Sequence, residues 1–170
     1  MPNYNWGTFS KRINIQAPVE NIYEMWATSA GIEKWFLRRC EITNERGVPK
    51  HPEKPFMIGD HYLWRWHGWP DEVKEEGTIL EANGHDKIKF TFGQIGAENM
   101  VCSVTIYTEG EETICEISQE NIPDDEKGKT YYHIGCMTGW SFYLANLKSI
   151  LEGGIDLRNK NEQLKNVINS

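Results

Sequence analysis

Hydrophobic and polar positions alternate from Thr8 to Gln16, with Phe9, Ile13 and Ile15 on one side, which predicts a strand. Pro18 suits a first helical turn, and Val19, Ile22, Tyr23 and Trp26 then recur at helical spacing. A second short helix is predicted through Gly31-Ile32-Glu33-Lys34, delivering Trp35 and Phe36 to a strand that runs from about Phe36 to Thr43. Residues 44–58 form the longest loop, with Pro49, Pro52 and Pro55 at intervals of three. That spacing serves either a polyproline II ligand for an aromatic groove or a stiff surface loop.

From Gly59 the chain reads as five strands joined by tight turns. Two- and four-residue hairpin loops make facing positions sum to an odd number, so the inward face of one strand dictates that of the next. Residues 60–67 put Tyr62, Trp64 and Trp66 on one face and His61, Leu63, Arg65 and His67 on the other. The loop Gly68-Trp69-Pro70-Asp71 then sets Val73, Glu75, Gly77 and Ile79 on the aromatic face. The hairpin signal Asn83-Gly84 carries that face to Ile88, Phe90 and Phe92. A loop from Gly93 to Ala97 moves it to Met100, Cys102, Val104 and Ile106, and Gly110-Glu111 moves it to Cys115, Ile117 and Gln119.

After Ile122-Pro123-Asp124-Asp125, a long helix is predicted from about Gly128 to Glu152. Tyr132, Cys136, Trp140, Tyr143, Leu147 and Ile150 form its spine, and Gly153-Gly154 its stop. Residues 155–170 read as a polar tail in which Leu164, Val167 and Ile168 mark one more short helix.

Composition narrows the function. Seven Trp, seven Tyr and six Phe in 170 residues serve either an aromatic core or a lined pocket. A net charge of -7 without a basic run argues against nucleic acid and against an anionic membrane surface. The start Met1-Pro2-Asn3-Tyr4-Asn5-Trp6 shows no secretory signal, and no apolar run reaches the ~20 residues of a membrane span. A cytoplasmic location is therefore expected. Cys40, Cys102, Cys115 and Cys136 are widely spaced with no C-x-x-C, which predicts free thiols and no zinc site.

Several segments carry a family likeness. They are Ile13-Asn14-Ile15-Gln16-Ala17-Pro18 followed by Ile22 and Trp26, then Glu33-Lys34-Trp35-Phe36, then Gly77-Thr78-Ile79-Leu80-Glu81. Gly139-Trp140, Leu144, Leu147 and the closing Leu151-Glu152-Gly153-Gly154-Ile155-Asp156-Leu157-Arg158 complete the set. In this order the chain resembles the SRPBCC (START-like, Bet v-like) superfamily, and within it the activator of heat-shock-protein ATPase homologue family. The resemblance implies an α+β helix-grip fold. A curved antiparallel sheet of about seven strands, in the order 1-7-6-5-4-3-2, would surround the long helix. Residues 1–158 would form one domain and 159–170 a polar tail. It also implies a deep cavity between sheet and helix, used for apolar or amphipathic ligands, and it transfers no catalytic residue.

The expected ligand-binding set is Tyr62, Trp64, Trp66, Glu75, Phe90, Phe92, Met100, Cys102, Gln119, Tyr132, Cys136 and Trp140. Within it, Trp64, Trp66, Phe90, Phe92, Met100 and Trp140 are expected to line a cavity of several hundred Å3. Glu75 faces Trp64 across two strands, where burial would raise its pKa for polar contact or acid/base work. It is otherwise solvated at the sheet mouth, or turned outward by a bulge. Gln119, opposite Cys102, is either an orienting contact or an internal hydrogen-bonding group. Cys102 and Cys115 are offset by four residues, on the order of 13 Å, too far for a bridge. His61 and His67 lie on the order of 20 Å apart and cannot share a metal, and His133 reads as a packed or surface histidine.

The expected role is a non-enzymatic binding domain for a small apolar or aromatic molecule, monomeric and without cofactor. The alternatives are a cyclase or hydratase using Glu75, and a module that stimulates a chaperone ATPase.

Overall fold

Seven strands follow the predicted order in the computed structural model, which describes residues 4–93, 97, 99–164 and 166–168. Strand β1 (Thr8–Asn14) leads to helices α1 (Val19–Ala27) and α2 (Ser29–Trp35), then β2 (Arg39–Thr43). Strands β3 (His61–Arg65), β4 (Lys74–Ala82), β5 (Lys87–Thr91), β6 (Val101–Glu109) and β7 (Glu112–Glu120) form the meander. The sheet is antiparallel with order β1-β7-β6-β5-β4-β3-β2, as expected of a helix-grip fold.

The inward parity holds across every hairpin. Trp64 pairs with Glu75, Ile79 with Phe90, Phe90 with Cys102, and Cys102 with Gln119. Three details differ from the sequence pattern. Strand β2 begins at Arg39 because Phe36 is consumed as the cap of α2, its N–H bonded to the Ile32 carbonyl. The Asn83 turn is wider than two residues, because Asn83 Oδ1 accepts from the N–H groups of His85, Asp86 and Lys87 at 3.0 Å. A bulge between Ile79 and Glu81 takes up the slip. It lies beyond Ile79, so Glu75 keeps its inward orientation. The β5–β6 ladder closes at Phe92 and Met100, two residues later than predicted, which leaves the parity unchanged; residues 94–96 of that loop lie outside the described residues.

The long helix starts where predicted, but its first stretch, Gly128–Gly135, is π-helical before α3 (Cys136–Leu151) takes over. Gly128 permits the entry: a Cβ there would lie 1.8 Å from the Pro123 carbonyl oxygen. Buried Trp140, Leu144 and Leu147 press α3 onto the sheet and α1–α2, where Trp26, Trp35 and Phe36 form one ring cluster with Trp140. Burial of such rings is the main stabilising contribution here.

Beyond α3 the predicted tail helix is absent among the described residues, and Arg158 anchors the segment instead. Its guanidinium donates to the carbonyls of Glu33, Lys34 and Leu37 at 2.7–3.0 Å and pairs with Asp156. These bonds satisfy carbonyls at the C-terminal end of α2 that have no helical partner. Buried Asn146 completes the clamp through the Trp35 carbonyl and the Leu157 N–H. The proline loop is tied down as well. The Pro52 carbonyl accepts from Ala30 N–H, Phe56 N–H donates to the Ala27 carbonyl, and the Phe56 ring is buried. It is a fastened surface loop whose backbone is already engaged.

Candidate functional site

A cavity of about 420 Å3 opens at one end of the sheet, beneath the π-helical segment. Trp66 at the end of β3, Trp69 and Val73 in the following loop, and Phe92 after β5 supply one wall. Tyr131, Tyr132, Cys136 and Tyr143 supply the other, and Ile168 reaches the rim. The void has a local cause. Gly135 and Gly139 stand four residues apart on the lining face, and a Cβ on Gly139 would meet nothing within 4 Å. Residues at that spacing share a helix face, so two missing side chains thin one strip of the wall.

Glu75 is the carboxylate of this cavity. It is only 6% exposed, and its Oε1 accepts the Gly93 N–H at 2.7 Å. Burial pushes its pKa up to about 7; the Gly93 bond opposes that rise and negative Glu76 adds to it. Burial likewise raises the Cys136 thiol to about 11 and the Tyr143 hydroxyl to about 12. Tyr131 is raised for the same first reason. The buried Tyr132 hydroxyl has no hydrogen-bond partner among the described residues.

Residues 16–152 match the family described as activator of Hsp90 ATPase homolog 1-like protein. The chain belongs to this family. No curated protein matches it. Among solved structures, the Aha1 dimer from Colwellia psychrerythraea is similar at TM-score 0.67 and 18% identity, over 86% of this chain and 97% of that one. CalU16 from Micromonospora echinospora is similar at TM-score 0.64 and 15% identity, over 88% and 77%. DynU16, from the dynemicin biosynthetic locus, is similar at TM-score 0.67 and 14% identity, over 91% of this chain and 50% of that one.

In this member of the Hsp90-activator-like family, the residues expected to bind a ligand divide into two groups. Trp66, Glu75, Phe92, Tyr132 and Cys136 line the cavity. Tyr62, Trp64, Phe90, Met100, Cys102, Gln119 and Trp140 do not, because they interlock as core. Tyr62 stacks on Trp64 at 4.0 Å, and Trp64 meets Phe90 at 5.2 Å and Phe36 at 5.4 Å. Gln119 is wholly buried, with Oε1 accepting from Trp140 Nε1 at 3.2 Å and Cys102 Sγ at 3.6 Å. Internal hydrogen bonds therefore occupy it. Trp69, Tyr131, Gly135, Gly139, Tyr143 and Ile168 were not anticipated as lining. The Gly135-x-x-x-Gly139 pair inside an otherwise apolar spine was the available signal.

The remaining candidates lie elsewhere. His61 bonds Thr78 on the outer face, and His133 is buried between the Tyr4 hydroxyl and the Trp6 carbonyl. No cluster of three metal-ligating side chains occurs among the described residues. All four cysteines are free, and Cys102 and Cys115 sit four ladder positions apart. Among the described residues no helix is long and apolar enough to cross a membrane. A hollow of about 500 Å3 on the outer face of β2–β4 is lined chiefly by carboxylates, hydroxyls and His61.

Proposed function

We propose that this chain is a non-enzymatic binding domain that holds a small, largely apolar or aromatic molecule in the cavity beneath the π-helical segment. The carrying observation is a cavity of about 420 Å3, walled largely by rings and holding the buried Glu75 carboxylate. Small-molecule sites have this scale and this makeup of apolar walls with few polar groups. Four unbridged thiols fit a reducing compartment, and we place the protein in the cytoplasm.

One observation favours a second reading, an acid/base enzyme using Glu75. A carboxyl at about 7 is matched to proton transfer at neutral pH. Of its titratable neighbours on the cavity wall, Cys136 is raised to about 11 and Tyr143 to about 12, and burial raises Tyr131 as well, which leaves these groups poor partners in such chemistry. Binding is thus the better-supported role.

A screen of small aromatic compounds by backbone amide chemical shifts tests the proposal. Perturbed amides are expected at Gly93 and along residues 130–139. A screen in which no compound moves those amides, or in which shifts cluster on the outer face of β2–β4, refutes it.

A further inference from the structure

Among the described residues, four ionisable groups that feel the Glu75 carboxylate are neutral at neutral pH. Tyr62 on β3, Cys102 on β6, Tyr131 in the π-helical segment and Cys136 at the start of α3 all feel its carboxylate. Burial holds each of these four in its neutral form. On β4 itself, neighbouring Glu76 adds negative charge, and Lys74, the one cation among the described lining residues, pairs with Glu76 and has no resolved influence on the Glu75 carboxyl. The influences on the Glu75 carboxyl among the described residues are burial, the Gly93 N–H and Glu76, and none of them is cationic. A buried carboxylate without a countercharge is costly, and a cation beside it relieves that cost.

The walls point the same way. Aromatic faces carry negative charge density and attract ammonium groups, and Trp66, Trp69, Phe92 and Tyr131 surround the carboxylate's compartment. The net charge of -7 draws cations toward the molecule at long range.

Resting on the binding role proposed above, we propose that the ligand is a protonated amine with an apolar body. Its ammonium would pair with the Glu75 carboxylate, and its body would lie among Trp66, Trp69, Phe92 and Tyr131. Binding of the cation selects the ionised carboxylate and releases a proton near neutral pH.

The probes are naphthylmethylamine and its neutral near-isostere naphthylmethanol, titrated into the whole chain and followed by backbone amide shifts. At about pH 8 the amine should bind at least tenfold more tightly than the alcohol, since Glu75 is then mostly ionised. Lowering the pH to about 6 should weaken the amine about tenfold and leave the alcohol unchanged. Glu75→Gln should erase the preference. The wild-type pH profile stands without any variant, so a misfolded E75Q does not protect the idea. Equal binding of both probes at both pH values overturns the amine assignment while the cavity remains a binding site. Failure of both probes to move the cavity amides overturns the amine assignment together with the binding role.

Discussion

The two ends of the same concave face behave differently. At the inner end Trp64, Phe90, Met100 and Trp140 are buried and interlocked; at the mouth Trp66, Phe92 and Trp69 border an open volume. Both ends follow one alternation along shared strands, so alternation alone does not separate core from cavity. The opposing helix does. Trp140, Leu144 and Leu147 fill the space above the inner end, whereas Gly135 and Gly139 leave it unfilled above the mouth. A pocket in this fold is therefore made by what the helix omits.

The largest expected effect comes from damaging the inner end. Trp140→Ala removes a ring packed on Trp26, Phe36 and Phe92 and leaves Gln119 Oε1 only the weak Cys102 thiol as donor, and should destabilise by about 3–5 kcal/mol in urea unfolding. A loss below about 1 kcal/mol would mean that the inner rings are loosely held and that the contrast between the ends is false.

Next comes Glu75. Its pKa rises on folding from an ordinary 4.5 to about 7, so between those values the folded state retains a proton that the unfolded chain releases. The stability this proton confers is complete below pH 4.5 and lost as pH climbs through about 7. The wild type should thus lose on the order of 2–3 kcal/mol across that window relative to Glu75→Gln, which does not titrate. Parallel pH–stability curves for the two proteins would show the carboxyl to be solvated.

The smallest effect on stability, with the largest on binding, belongs to Gly139→Leu. A leucine there adds helix propensity worth about 0.5–1 kcal/mol and projects into the void. Thermal melting should show a small gain, while the amide shifts induced by an aromatic ligand vanish. Retained binding would detach the glycine strip from the cavity.

Much of the fold was legible in the sequence. Hairpin parity brought Glu75 beside Trp64 and Gln119 beside Cys102, because an alternating pattern reports which face a side chain occupies. Depth was not legible. Trp64 and Trp66 are two residues apart with the same pattern, yet one is core and the other cavity wall. The π-helical stretch escaped because its apolar spine reads like any helix, and the Arg158 clamp because an arginine in a polar segment carries no sign of burial. Both depend on partners distant in the chain, which local periodicity does not encode.

The pairing of β1 with β7 also sets a timetable. Strands β2 to β6 each pair with the next strand along the chain, whereas Thr8 meets Glu120 and Asn14 meets Ile114. Contacts so distant in sequence form late, since the intervening chain must first be ordered. During synthesis, at roughly 5–20 residues per second, Phe9 and Ile15 must wait several seconds or more for the strand that covers them. For that interval the nascent chain carries an unpaired strand whose Phe9 lacks its cover, and its exposure to aggregation is set by the speed of the ribosome.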